Sequence, residues 1–205
     1  MSKPRLLDLF CGAGGAAMGY HRAGFDVMGV DIVPQPHYPF PFIQADALAI
    51  SWAGFDAVHA SPPCQGYSRM RHLPWLAGKE YPLLIDAVRA RLTADTRPWV
   101  IENVEDSPMP YSTVLCGQVF GLALYRHRRF GSSHLIMSPP HGRHDAVISP
   151  GRMLGDRGRV STWERRTRLP EAMGCEWMTQ KECGQAIPPA YTEHIGRQLL
   201  EVLHG

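Results

Sequence analysis

A short apolar run, Leu6 to Phe10, passes directly into Cys11-Gly12-Ala13-Gly14-Gly15 and then into a helical pattern that continues to about Ala23. A strand that empties into a glycine-rich turn at the head of a helix is the first half of a βαβ unit, which commits the next strand to lie parallel in the same sheet. That next run, Asp26 to Ile32, closes on an acid, Asp31. Glycines in the turn let a ligand approach the backbone closely, and a carboxylate about 20 residues on is placed to take the hydroxyls of a ribose. Gly12, Gly14 and Ala17 also satisfy the G-x-G-x-x-A form of the dinucleotide fingerprint. On this loop alone a nicotinamide or flavin enzyme and an S-adenosylmethionine enzyme fit equally well.

The alternation continues. A proline-studded loop (Pro34, Pro36, Pro39, Pro41) is too stiff for a helix and leads to a strand over Phe42 to Ala45. Phe55 to Ala60 reads as a further strand; Leu84, Val88 and Leu92 give the i, i+4, i+8 stripe of a helix; Trp99 to Val104 reads as a strand again. Beyond Thr113 the pattern weakens to a short strand and helix through Leu122 and a strand near Arg129 to Ser132, and Gly131 to Arg159 carries no clear period. Pro188-Pro189 then starts a helix with Tyr191, Ile195, Leu199 and Val202 along one face. The chain is therefore expected to be α/β, Rossmann-like, with a mostly parallel sheet and flanking helices. Three parts are expected: a catalytic and cofactor-binding core over 1–130, a reduced and irregular nucleic-acid-contacting segment over 131–165, and a C-terminal segment over 166–205 packing back on the core.

With 205 residues and 44% hydrophobic content, one good core is within reach. Five widely spaced cysteines and no C-x-x-C argue for reduced thiols and a cytoplasmic location, and no apolar stretch reaches the roughly 18 residues of a membrane span. The formal net charge is only +2, but residues 124–168 hold ten arginines against Asp145, Asp156 and Glu164, a local +7 that leaves −5 elsewhere. Such a basic region suits a phosphate backbone.

Ala60-Ser61-Pro62-Pro63-Cys64-Gln65-Gly66-Tyr67-Ser68 carries the sharpest chemical signal. Two prolines stop the strand and stiffen the turn, and Gly66 frees the backbone again, so Cys64 stands at the sheet edge on a nearly rigid support. In a parallel sheet the carboxyl ends of the strands share one edge, so Gly12, Asp31, Cys64 and Glu102 should converge on one crevice.

The order of these pieces resembles the DNA cytosine-C5 methyltransferases: DLFCGAGG at 8–15, VDI at 30–32, Asp46, PPCQ at 62–65, ENV at 102–104, RHR at 126–128 and QAIPPAYTEHIG at 185–196. The resemblance implies methyl transfer from S-adenosyl-L-methionine to carbon 5 of a flipped or single-stranded cytosine in DNA. It assigns the covalent nucleophile to Cys64, the acid near ring N3 to Glu102, and the hold on the base carbonyl to Arg128 or Arg126, with Asn103 ordering the loop behind Cys64. It places the cofactor against Phe10, Gly12, Gly14, Gly15, Asp31, Ile32, Asp46 and Ala190. Gln65, Ser68, Arg69, Arg71, Lys79, Arg143 and Arg152 are the expected nucleic-acid contacts.

The chain departs from the family in two places. The 35 residues of 131–165 are too few for a full target-recognition domain, which implies short sequence preference or a specificity-conferring protein partner, and Leu124 stands where glutamine usually precedes the paired arginines. A compact enzyme of a bacterium or virus is the expected setting. His134, His141, His144 and Asp145 show no recognisable ligand spacing and read as surface residues, so no metal is expected; Cys175 and Cys183 read as packing thiols, and Trp163 and Trp177 as core of the appendage. An RNA cytosine methyltransferase, a relative transferring a modified group, a non-catalytic nucleic-acid-binding module and a nicotinamide oxidoreductase are the competing readings.

Overall fold

Neighbouring leucines on the first strand face opposite layers of the molecule. In the computed structural model, which describes residues 2–74, 78–142, 144 and 169–205, β1 (Arg5–Leu9) carries Leu6 into one buried cluster and Leu7 and Leu9 into another. This period of two is what a strand imposes when both of its faces are covered. The chain continues through α1 (Gly15–Ala23), β2 (Asp26–Asp31), β3 (Phe42–Gln44), β4 (Ala57–Ala60), α2 (Ile85–Thr93) and β5 (Trp99–Val104). It then runs through β6 (Thr113–Leu115), β7 (Arg128–Ser132), α3 (Gln180–Gln185) and α4 (Pro189–His204).

The seven strands form one sheet in the order β3-β2-β1-β4-β5-β7-β6. The first five pair in parallel, and β7 is antiparallel to both β5 and β6. The order in which strands are added reverses at β1, from β2 and β3 on one side to β4 and β5 on the other, and the gap between β1 and β4 is the switch point at which open α/β sheets bind their ligands. The β4 strand is shorter than its apolar run, because the Phe55 amide donates to the Trp52 carbonyl at 3.2 Å and holds that residue in a turn.

On one face Tyr20 of α1 and Tyr191, Ile195 and Leu199 of α4 pack over Leu6, Val27, Ala57 and Val100. On the other, Ile85, Val88 and Leu92 of α2 join Trp52 over Leu7, Val30, Val58 and Ile101. The contact of α1 with α4 is close enough that a Cβ on Gly19 would sit 2.2 Å from the Pro189 carbonyl oxygen, and the Thr192 hydroxyl donates to Ala16 O at 2.9 Å. Residues 172–186 make a third cluster with Ala13 and Leu124, which includes the fully buried Cys175 and Cys183. No helix among the described residues is long and apolar enough to cross a membrane.

Candidate active site

Both loops that the sequence singled out lie at the switch point, one after β1 and one after its neighbour β4. The turn after β1 is held in the left-handed region at Phe10 (φ 57°), Gly12 (φ 49°) and Gly14 (φ 85°). A side chain on Gly14 would also strike Pro39 and Tyr38 at 2.8–2.9 Å, whereas a Cβ on Gly12 would meet none of the described residues within 4 Å. The loop is thus packed on one side and open on the other. Asp31 stitches it to the end of β2: Oδ2 accepts the Gly12 amide at 3.1 Å, and Oδ1 accepts the Val33 amide at 3.1 Å. Beside it Ile32 is 70% exposed, an apolar surface next to a carboxylate. The C-terminal segment closes the back, since a Cβ on Gly15 would lie 2.3 Å from Ile187 O, and the Trp177 indole donates to Ala13 O at 2.9 Å. Ala190 is half-buried in the first turn of α4. Asp46 is exposed and caps its own turn, with Oδ1 accepting the Leu48 amide at 2.8 Å.

After β4 the Cys64 carbonyl accepts both the Tyr67 and Ser68 amides at 3.0 Å, which turns the chain back on itself. Asn103, fully buried on β5, donates from Nδ2 to Pro62 O at 2.9 Å and so braces the two prolines from behind. Cys64 is half-buried, the single cysteine of the five that is not buried. Glu102 of β5 pairs with Arg128 of β7 (Nε to Oε1, 3.1 Å), with both side chains largely shielded from solvent. Burial pushes the Cys64 thiol up and the Glu102 charge adds to this, while Arg128 and Arg126 pull it down. Burial likewise raises Glu102 against the pull of the same two arginines and a hydrogen bond from Ser61. Thiol, carboxyl and guanidinium therefore share one electrostatic neighbourhood.

Arg126 is held differently. Its Nε and Nη2 donate to Ala186 O (3.1 and 2.8 Å) and Nη2 to Gly184 O (2.8 Å), and its own carbonyl accepts the Tyr191 hydroxyl at 2.5 Å. Burial first and the Arg128 charge second push its pKa down to about 9, so it is a cation at neutral pH. This arginine, expected as the alternative to Arg128 for the hold on a base carbonyl, is bonded to the Gly184 and Ala186 carbonyls. Leu124, in the position where glutamine was expected, is buried against Met173, Cys175 and Met178 and supports the loop by packing.

Two buried groups beneath the loops were not singled out by the sequence, although each is a polar residue inside an apolar run. Asp8 is fully buried with neither carboxylate oxygen bonded among the described residues, and burial and then the Asp31 charge raise its pKa well above the usual range. His59 of β4 is fully buried between the Tyr20 hydroxyl (Nδ1, 3.0 Å) and Ser61 Oγ (Nε2, 2.9 Å), and burial lowers its pKa to about 3. A neutral histidine in the folded state and a titrating one in the unfolded state give stability that is complete above about pH 6.5 and is lost as pH falls toward 3. The slope is about 1.4 kcal/mol per pH unit. Thermal melts from pH 7.5 to 5 should therefore fall by roughly 4–8 °C on this account, and His59→Gln should flatten the profile. An unaltered acid limb in that variant would remove His59 as its source.

Among the expected nucleic-acid contacts, Gln65, Arg69, Arg71 and Lys79 are exposed and Ser68 is half-buried. Arg69 pairs with Asp106 at 2.6 Å, and Arg71 donates to Gly66 O at 2.6 Å. Two clefts of about 320 and 310 Å³ flank this turn, the first lined by Tyr67, Arg69 and Asp106 and the second by Arg71, Lys79 and Tyr81; neither is lined by Cys64 or Glu102. Arg143, Arg152, Asp145 and Trp163 lie outside the described residues.

No family model matches the chain. In sequence it is 28% identical over 217 aligned residues to the type II methyltransferase M.XorII of Xanthomonas oryzae pv. oryzae, covering 96% of this chain and 45% of that protein. It is 33% identical over 126 residues to the type II methyltransferase M1.HphI of Haemophilus parahaemolyticus, covering 48% and 32%. The chain thus spans less than half the length of the curated relatives it matches. Among solved structures, a putative DNA modification methyltransferase encoded within an Escherichia coli prophage superposes with a TM-score of 0.62 at 14% identity, covering 99% of this chain and 100% of that one. The Schizosaccharomyces pombe Dnmt2 methyltransferase superposes with a TM-score of 0.62 at 13% identity over the whole of both chains. A seven-stranded, mostly parallel sheet with flanking helices, shared at this level with those structures, is the Rossmann-like methyltransferase fold.

Proposed function

We propose that this chain transfers a methyl group from S-adenosyl-L-methionine to carbon 5 of cytosine in DNA, through a transient bond from Cys64 to carbon 6. The observation that carries the proposal is a half-exposed thiol at the β1/β4 switch point, within the field of a buried Glu102–Arg128 pair. The two sequence relatives, both type II methyltransferases, support it.

Carbon 5 of cytosine is a poor nucleophile. Addition of the Cys64 sulfur to carbon 6 makes an enamine whose carbon 5 attacks an electrophilic methyl group; loss of the carbon 5 proton then expels the sulfur and restores the ring. Glu102 would meet ring N3 and relieve the electron density pushed into the ring, for which its raised pKa suits it. Arg128 would keep that carboxyl oriented and hold the base carbonyl. A base stacked in a duplex offers neither face of carbon 6, so the target is flipped out or single-stranded.

S-adenosylmethionine would supply the methyl group on a sulfonium. The residues present fit it. The open side of Gly12 admits a ligand to the backbone, with Gly14 and Gly15 behind it. Asp31 would take the ribose hydroxyls, exposed Ile32 and Phe10 would lie on the adenosine, Asp46 would take the adenine amino group, and Ala190 would close the pocket. Gln65, Ser68, Arg69, Arg71 and Lys79 would grip the strand, with Arg143 and Arg152 and a protein partner adding specificity.

The test is to incubate the purified chain with S-adenosylmethionine carrying a labelled methyl group and with DNA, then digest to nucleosides. Label in 5-methylcytosine is the expected result. Label on an exocyclic amine, or only on RNA, would overturn the assigned substrate atom or the assigned nucleic acid.

A further inference from the structure

A second cluster of metal-binding residue types lies outside the proposed chemistry. Cys116, just after β6, His127, between Arg126 and Arg128 at the start of β7, and His141 and His144 each offer one ligand atom, and these four atoms lie within 4.8 Å of one another. Cys116 Sγ is 3.3 Å from His144 Nε2, His141 Nε2 is 3.1 Å from His144 Nε2, and His127 Nε2 is 3.5 Å from His141 Nε2. A tetrahedral ion with zinc-like bonds sets its ligand nitrogens about 3.3 Å apart and its sulfur about 3.6 Å from each nitrogen. Three of the six edges fall around those values and the rest lie within 4.8 Å, so the four side chains are near enough to enclose an ion once one ring turns.

A second observation concerns the far side of a ring. His127 Nδ1 faces Glu105 Oε2 at 3.4 Å while its Nε2 faces the cluster. A carboxylate behind a histidine is the arrangement that orients the ring and raises its basicity at metal sites. The simpler account is an aromatic stack, since the His144 ring lies on Tyr125 (3.8 Å, 7°) and parallel to His127 (5.0 Å, 8°). Ring contacts reach all three histidines, since His141 also meets His144 edge-on (4.9 Å, 64°). Ring packing does not explain why a buried cysteine brings its sulfur within 3.3 Å of the His144 Nε2, in the same group of ligand atoms.

We propose that Cys116, His127, His141 and His144 form a structural zinc site that pins His141 and His144 to the β6–β7 edge of the sheet. One sulfur and three imidazole nitrogens suit zinc among divalent cations, and four protein ligands leave no open position for catalysis. On binding, the Cys116 thiol gives its proton to solvent and the sulfur takes a coordination position. Because parallel rings cannot both aim a lone pair at one ion, either His127 or His144 turns about its Cβ–Cγ bond when the ion enters. Through His127 the site stands in sequence between Arg126 and Arg128. The inference does not depend on the methyltransferase reading.

The test uses the full chain without an affinity tag, expressed with zinc and assayed for metal by mass spectrometry. About one zinc per chain is expected. Cys116→Ser and His141→Ala, the second in an exposed loop where misfolding is not expected, should each weaken zinc retention against a chelator by at least about tenfold. Replacement by cobalt should give the absorption of a tetrahedral, thiolate-bound ion, and should lose the thiolate band in Cys116→Ser. Protein that takes up neither zinc nor cobalt at micromolar concentration, or that holds metal equally well in both variants, would overturn the site without touching the proposed methyl transfer.

Discussion

Cys64→Ser is expected to lower methyl transfer by a factor on the order of 10⁴ or more, the usual cost of removing a covalent nucleophile, while leaving the melting temperature within a degree or two of the parent. Both halves of the expectation come from where the residue stands. Cys64 belongs to none of the buried clusters, so its sulfur contributes little to packing. The other four cysteines are buried, and the one nearest the cofactor loop, Cys11, is pushed far above the usual thiol range by burial and by Asp8 and Asp31. A hydroxyl in place of the thiol would be ionised too rarely to add to carbon 6. DNA containing 5-fluorocytosine gives the direct readout: fluorine cannot leave as a proton does, so the chain should stay covalently attached to the DNA, and the variant should show no attachment. Attachment through another cysteine, or turnover in Cys64→Ser within tenfold of the parent, would end the proposed mechanism. Because burial and Glu102 both raise the thiol, attachment by the parent should also accelerate as pH rises above neutral.

The paired arginines should separate cleanly, one by stability and one by rate. Arg126→Ala removes three hydrogen bonds to the Gly184 and Ala186 carbonyls from a buried position and unfastens the segment that backs the glycine loop. A hydrogen bond from a charged group is worth about 1.5–3 kcal/mol, so losing this set should lower the melting temperature by roughly 10 °C for a chain of this size. Arg128→Ala instead frees Glu102, which can take a proton because burial already raises its pKa, so the fold should tolerate the change better. Its cost should fall on turnover, at about 10²–10³-fold, the range for losing one electrostatic donor at a reacting group. Melting curves and single-turnover rates on both variants settle the assignment. If Arg128→Ala is the less stable protein and Arg126→Ala the slower enzyme at full fold, the roles drawn from the hydrogen bonds are reversed.

Much of this layout was legible before any coordinates. The strand over Trp99 to Val104, the helix after Gly14 and the helix from Pro189 stand where periodicity and capping chemistry put them. Period and punctuation are local properties, and strands and helices obey them locally. The pairing of Asn103 with the loop behind Cys64 was also expected and is present. Three things were not legible. The place of β7 between β5 and β6 depends on pairing between distant segments. The division of labour between Arg126 and Arg128 depends on which carbonyls come near each guanidinium. The gathering of Cys116 and His127 with His141 and His144 depends on the antiparallel β6–β7 pair, which brings positions 11 residues apart to one edge.

The amino-acid sequence alone therefore determined the alternating architecture and the place of Cys64 at the sheet edge, because a glycine turn, a proline pair and an apolar period act on their immediate neighbours. Tertiary structure decided which charges meet. Electrostatic partnership falls off within a few ångströms and takes no account of distance along the chain, so Glu102 and Arg128, Arg126 and Ala186, and the three histidines around Cys116 acquire their roles only when the sheet has closed.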